Sequence, residues 1–164
     1  MNETPDDVVA LQRLLDQSYA RAGEHLLSIH TPDRRLAAEQ LVERLTGVCV
    51  LALTTVTADG RPIASPVDGL FHRGSFWFGS SADSLRFRHI RVRPDVSAVH
   101  TVGEELAVTV HGRAIETTLR AEPGLAAYCA EIYEPRFGAE WSELAADLPY
   151  ARIDARAMYV FAME

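Results

Sequence analysis

Beyond Gly47 the chain leaves helical spacing and reads as a run of six short strands, the feature that most narrows its fold. Val48-Cys49-Val50-Leu51-Ala52-Leu53-Thr54-Thr55-Val56-Thr57 is β-branched and nearly all apolar, the pattern of a strand buried on both faces, and Asp59-Gly60 supplies a hairpin turn. The return strand runs from about Pro62 to Phe71, and His72-Arg73-Gly74 turns the chain again into Ser75 to Ser80. Further strands are predicted over Val96–Val102, Leu106–Thr117 and Met158–Ala162, with Gly112 marking a bend or a close approach. A helix over about Asp83–Val92, ended by Pro94, interrupts the strands. Two helical pieces, about Pro123–Glu134 and Ala139–Ala146, precede the last one. Such a sheet has exposed edges unless it closes, so the pattern predicts a mainly β fold with helices (α+β), built on a six-stranded antiparallel barrel.

Two helices are predicted ahead of the strands. Val8, Leu11, Leu14, Leu15, Tyr19, Ala22, Leu26 and Leu27 recur mostly at spacings of three and four, which gives one apolar helix face over about Val8–Ser28. The second helix has Thr31 as its cap, Pro32 in its first turn, Leu36, Leu41 and Leu45 in its stripe, and Gly47 at its end. A boundary there divides an N-terminal helical extension, residues 1–30, from a barrel domain, residues 31–164. With 164 residues, 48% of them hydrophobic and 24% charged, the chain can bury a full core without staples. No apolar run approaches a membrane span, and Met1-Asn2-Glu3-Thr4-Pro5-Asp6-Asp7 is acidic where a signal peptide is basic, so a cytoplasmic protein away from membranes is expected. Cys49 and Cys129, in an apparent core strand and a helix, fit the reduced thiols of that compartment.

The net charge is −7, yet residues 61 to 93 hold six Arg against only Asp68 and Asp83, a local +4. An island this short suits a small anionic ligand and not the long footprint of a nucleic acid. All 16 cationic side chains are Arg, which excludes Schiff-base, P-loop and lysine-nucleophile chemistry. Within the island the aromatic strand Ser75-Phe76-Trp77-Phe78 leads into Gly79-Ser80-Ser81-Ala82-Asp83-Ser84 and then Arg86, Arg88, His89, Arg91 and Arg93. Hydroxyls leaving a strand, a helix start and forked guanidiniums are what a phosphate monoester needs. The same residues also read as an N-cap followed by a solvated helix face, because Ser and Asp favour helix starts without any ligand. Trp77 and Phe78 alternate, so one points into the core and the other toward the barrel surface or a dimer contact. The histidines show no metal spacing; His100 and His111 could meet across neighbouring strands but lack a third ligand. Neither cysteine lies in a Cys-x-x-Cys pair and no serine sits in a nucleophile elbow, so hydrolase chemistry has little support.

Four segments in order carry a resemblance: Thr31 to Gly60, Arg61-Pro62-Ile63-Ala64-Ser65-Pro66-Val67, Phe76 through Val96, and Leu106 to Ala114. Together they are similar to the pyridoxamine 5′-phosphate oxidase-like flavin-binding split barrels. The resemblance implies a split barrel of the FMN-binding type and a homodimer with two flavin sites at its interface. Carried over by position, Ser80 and Ser81 give hydroxyl and amide contacts to the flavin phosphate, Ser84 sits at the helix start, and Arg86 stands where the family usually has Lys. Ser65, Pro66 and Val67 pass beneath the isoalloxazine ring, and Arg61 adds a second phosphate contact. His89 replaces the family's Asn, and Ala155 stands where proline is frequent in the closing strand. The C-terminus lacks the Arg-rich segment of the true pyridoxamine phosphate oxidases, so vitamin B6 oxidation is not implied.

The function implied is a flavin-dependent oxidoreductase acting on a small molecule, with FMN as cofactor or a deazaflavin coenzyme in its place. The alternative class is a non-catalytic flavin- or haem-binding protein on the same barrel, because fold does not fix function. No catalytic acid or base stands out, as expected where the cofactor carries the redox chemistry. Tyr128, Tyr133, Arg136, Phe137 and Trp141 either wall a substrate pocket or pack as helix core.

Overall fold

The strands β1 (Val48–Val56), β2 (Pro62–His72), β3 (Ser75–Gly79), β4 (Asp95–Val102), β5 (Leu106–Thr118) and β6 (Pro149–Ala162) close into one antiparallel barrel, ordered β1-β2-β3-β6-β5-β4. The computed structural model describes residues 2–163. The expected six-stranded barrel with helices is thus the observed architecture. Cys49, Leu51 and Leu53 of β1 fill its interior, but Val50 on the other face is 51% exposed. β1 is therefore covered on one face only in this chain, a distinction that an unbroken apolar run does not encode. Phe76 and Phe78 point into the barrel with Phe71 and Phe87. Trp77, on the opposite face of β3, is buried instead beneath α5 (Pro123–Phe137), among Leu125, Cys129 and Tyr133. Both faces of β3 are thus interior, where a surface or dimer contact was one expectation for the outward residue.

The turns follow the sequence closely. Between β2 and β3, Arg73 and Gly74 take φ of 52° and 73°, two consecutive left-handed residues as a type I′ hairpin requires. Arg73 bears that conformation while its guanidinium is held by Asp7, with Nε to Oδ2 at 2.9 Å and Nη2 to Oδ1 at 3.3 Å. Gly112 sits at a register shift where β6 bulges against β5, Arg156 being passed over between the partners of His111 and Gly112. A Cβ there would lie 2.3 Å from the Asp154 carbonyl oxygen, so the close approach expected of this glycine is present.

β6 extends over 14 residues, well beyond the expected Met158–Ala162. Its first half alternates Arg152, Asp154 and Arg156 outward with Ile153 inward, and those charges mask the strand pattern. At the N-terminus the single helix expected over Val8–Ser28 breaks into α1 (Pro5–Ala20) and α2 (Glu24–Ile29) around Gly23. The α1 start is a capping box: Asp7 N–H donates to Thr4 Oγ1 and Thr4 N–H to Asp7 Oδ2. Thr31 caps no α-helix, since Pro32–Arg34 forms one 3-10 turn and α3 begins only at Ala38, running to Arg44. The Ala38 N–H at that start is satisfied by Gln12 Oε1 from α1 at 2.8 Å, a distant partner that no local pattern reveals. The helices α4 (Leu85–Val92) and α6 (Trp141–Ala145) complete the chain, and among the described residues no helix is long and apolar enough to cross a membrane.

β3 has only 5 residues and pairs β6 only from Tyr150 to Arg152. Further along β6, the edge facing away from β5 is met by α1. Ser18, 2% exposed, accepts the Met158 N–H through Oγ at 2.9 Å and donates to the Leu14 carbonyl. The Tyr19 hydroxyl donates to the Val160 carbonyl at 2.7 Å and accepts the Val160 N–H at 2.9 Å, so one side chain stands in for a missing strand. Tyr19→Phe and Ser18→Ala should each lower stability by about 1–3 kcal/mol, the cost of leaving buried backbone groups unmet. Urea unfolding midpoints measure this, and unchanged midpoints would show that α1 does not seal the edge.

Candidate flavin site

The short β3 leaves a second edge open. β2 pairs β3 only from Gly69 to His72, so the stretch Pro62–Asp68 has a neighbour on one side alone, β1. Pro66 lies in that stretch, where its missing N–H costs no ladder bond. Its carbonyl accepts from Arg86 Nη2 at 3.0 Å, and the same nitrogen donates to Ser65 Oγ at 3.1 Å. Arg86 reaches there from the first turn of α4, whose other face buries Phe87 and Ile90 in the barrel. Burial draws the Arg86 pKa below the ordinary guanidinium range.

Ser80, Ser81 and Ser84 occupy the link from β3 to α4. Ser80 N–H donates to the Pro149 carbonyl, Ser84 N–H to the Ser81 carbonyl, and Ser84 Oγ caps α4 by accepting from Phe87 N–H at 3.4 Å. Among the described residues the hydroxyls of Ser80 and Ser81 have no partner. The structure thus joins Arg86 directly to Ser65 and Pro66, with the three serines in the loop that launches the same helix. Val67 is buried in the barrel and has only its main chain to offer. Arg61 stands on the β1–β2 hairpin, its Nε 2.8 Å from Asp59 Oδ2, with no bond to the other residues named.

The remaining arginines of the island divide by role. Arg91 is bidentate to Glu116 and also donates to the Ala82 carbonyl, so it fastens α4 to β5. Arg88 is exposed on α4 beside His89, whose Nδ1 lies 2.9 Å from Thr55 Oγ1 on β1. No pattern in the sequence marks Thr55, because its partner lies 34 residues further on, in α4. Beside Ser65 and Pro66, Val50, Ala52, Ala64 and Val99 frame a shallow depression of about 340 Å³ on the outer sheet surface. The signal for it was available: small residues, Ala52 and Ala64, project outward on adjacent strands.

Elsewhere the candidate chemistry dissolves into structure. His100 lies opposite Val108 and donates through Nδ1 to the Val50 carbonyl, whereas His111 lies opposite Ser97 and bonds to it at 2.8 Å, so the two histidines do not meet. Among the described residues no group of three or more His, Cys, Asp or Glu is arranged to hold a metal ion. Tyr133 and Trp141 pack with ring centroids 4.7 Å apart, and the Tyr128 hydroxyl accepts from Gly47 N–H, so these aromatics serve packing. Phe137 remains exposed, with Arg136 over its ring.

The sequence of residues 37–162 matches the family described as pyridoxamine 5′-phosphate oxidase. No protein of curated function matches the chain. Among solved structures it is similar to the conserved hypothetical protein Rv2991 from Mycobacterium tuberculosis, at 18% identity and a TM-score of 0.65, covering 80% of this chain and 88% of that one. It is similar to an F420 reductase at 15% identity and a TM-score of 0.55, covering 70% and 91%. It is also similar to HutZ, the heme storage protein from Vibrio cholerae, at 18% identity and a TM-score of 0.56, covering 75% and 93%. At these identities the likeness is one of fold.

Cys49 and Cys129 are free and buried, and burial pushes their thiols up to about 11 and about 12. Neither is a thiolate near neutrality. Native protein at pH 8 should therefore leave both unmodified by a thiol-specific disulfide reagent over minutes, and release two equivalents once unfolded. Rapid colour from the native protein would contradict their burial.

Proposed function

Because the chain belongs to the pyridoxamine 5′-phosphate oxidase family, we propose that it is a flavin-dependent oxidoreductase that binds FMN as a homodimer and acts on a small molecule. The observation that carries this reading is the Arg86 bridge from α4 to Ser65 and Pro66, which brings a half-buried cation to an open strand edge. The donors fit the cofactor. Arg86 uses one nitrogen on neutral oxygens and keeps others for a phosphate, and the unpartnered hydroxyls of Ser80 and Ser81 supplement it. The flat floor of Ala52, Ala64 and Pro66 suits a planar ring, with main-chain groups of Ser65 to Val67 for its polar edge.

FMN supplies hydride acceptance and donation when bound. The protein's share is orientation and exclusion of water: Arg86 and the serines anchor the tail, and His89, fixed by Thr55, keeps the α4 face in register with β1. Val50, exposed on the same outer face as Ala52 and Ala64, is the apolar residue a second copy would cover, closing the shallow depression against solvent. A deazaflavin coenzyme is the second reading, favoured by the similarity to an F420 reductase. Its phosphate would use the same anchors.

Titrating the purified protein with FMN, riboflavin and F420 tests both readings. Arg86→Ala should weaken FMN by about tenfold to a hundredfold, as loss of a charge-assisted contact implies, and barely change riboflavin. Unchanged FMN affinity in that variant would overturn the site, and F420 binding well above FMN would transfer the assignment to the deazaflavin.

A further inference from the structure

A cavity of about 680 Å³ lies in the N-terminal segment and shares no residue with the candidate flavin site. One wall is α1, through Leu15, Tyr19 and Ala20; the other is Leu27 of α2 together with Arg35 and Leu36 from the stretch before α3. Leu15 is 2% exposed, whereas α2, which carries Leu26, Leu27 and Ile29, has no buried residue at all. Aliphatic side chains that the fold leaves half-covered along a groove gain from an apolar body laid against them. The cavity follows α1 over residues 12–20, about 12 Å at the helical rise, a length that suits a chain of about eight to ten carbons.

Arg35 is the cation of this wall, and it is held in place. Its Nε donates to the His30 carbonyl at 2.7 Å, and its guanidinium lies 4.1 Å from the centroid of the Tyr19 ring. Tyr19 is fixed in turn, because its hydroxyl bonds to Val160 of β6. The half-buried guanidinium is therefore gripped at one edge and one face, yet among the described residues no carboxylate pairs with it and its terminal nitrogens have no hydrogen-bond partner. A cation met by a carbonyl and an aromatic ring has given up water without gaining a counter-charge, and the planar fork that remains matches a carboxylate. Asp16, one helical turn before Ala20, also lines the cavity, with its Oδ1 accepting from Gln12 Nε2 at 2.9 Å. A fixed negative charge there repels a second anionic group, so the complementary ligand has one carboxylate and an otherwise apolar body.

We propose that the groove between α1 and the Arg35 segment binds a free medium-chain fatty acid. Its carboxylate meets the Arg35 guanidinium, and its chain lies across Leu15, Leu27 and Leu36.

The full chain, isotope-labelled, is titrated with octanoate, hexanoate, octanedioate, octanol and octylamine. Octanoate should shift the Leu36 and Ala37 amide signals saturably, at least fivefold more tightly than octanedioate, octanol or octylamine. It should also bind at least fourfold more tightly than hexanoate, as burial of two further methylenes implies. Arg35→Gln should weaken octanoate at least tenfold and leave octanol unchanged. Ala20→Glu, at an exposed position of the groove, should weaken octanoate at least fivefold without touching the Arg35 contacts, whereas Arg13→Gln, an equal loss of charge on the exposed face of α1, should not. No saturable shift, octanol or octylamine binding as tightly as octanoate, or unchanged octanoate affinity in either folded groove variant would overturn the proposal. Dissociation of the protein into smaller species on adding octanoate, seen by sedimentation, would also overturn it and assign the groove to a second copy of the chain.

Discussion

The length of β3 is the constraint on which the rest depends. Five residues cannot pair with all of an 11-residue β2 and a 14-residue β6. A closed barrel is therefore left with two unpaired half-edges, one on β2 before Gly69 and one on β6 after Arg152. Each exposes main-chain groups that cost about 1–3 kcal/mol apiece if buried unmet. The chain satisfies them in two different ways. On β6 the answer is internal, because Ser18 and Tyr19 of α1 bond to Met158 and Val160. On β2 the answer is a side chain from α4, Arg86, which takes the Pro66 carbonyl and leaves the surrounding surface open. One gap is sealed and the other remains accessible, and that difference separates a structural edge from a candidate binding edge.

The N-terminal segment acquires a definite role from this. The helix α1 buries Leu11 and Leu15 in the same cluster as the barrel interior, and Gln12 satisfies the first amide of α3. Its Asp7 serves twice, closing the capping box with Thr4 and holding Arg73 at the β2–β3 turn. Those two contacts, with Thr4 and Arg73, hold the Asp7 carboxyl below the usual carboxylate range against the opposing effect of its partial burial. Surface ion pairs are individually weak, so the Arg73 contact matters through position: it braces a non-glycine residue at φ of 52°.

Local chemistry in the sequence announced much of this. Asp59-Gly60, Arg73-Gly74 and Gly112 marked turns and a close approach that the barrel uses, and the β-branched apolar runs between those turns marked the strands. The failures share a cause, which is distance along the chain. The start of α3 depends on Gln12, 26 residues away, so that boundary could not be read from its neighbours. The charges on β6 concealed a strand whose partner, the full length of β5, lies behind them. At the candidate flavin site the residues were legible by type and order, but the bond from Arg86 to Pro66 follows from the missing stretch of β3, which no motif states.

The positive island of residues 61–93 also changes meaning once its partners are known. Arg61, Arg73 and Arg91 are matched by Asp59, Asp7 and Glu116, three carboxylates that all lie outside the island. Half of its arginines are therefore already paired, Arg73 and Arg91 between elements and Arg61 within its own hairpin turn. Arg86 differs from them in kind, because its acceptors, a hydroxyl and a carbonyl, are neutral. A guanidinium that is partly withdrawn from water and met only by dipoles has lost solvation without gaining a counter-charge, and its lowered pKa is the sign of that imbalance. An anion brought to Arg86 would offset the deficit where the same anion at Arg61 or Arg91 would have to compete with a resident carboxylate. The phosphate contact proposed at this edge thus rests on what surrounds one arginine, and the number of arginines nearby is secondary.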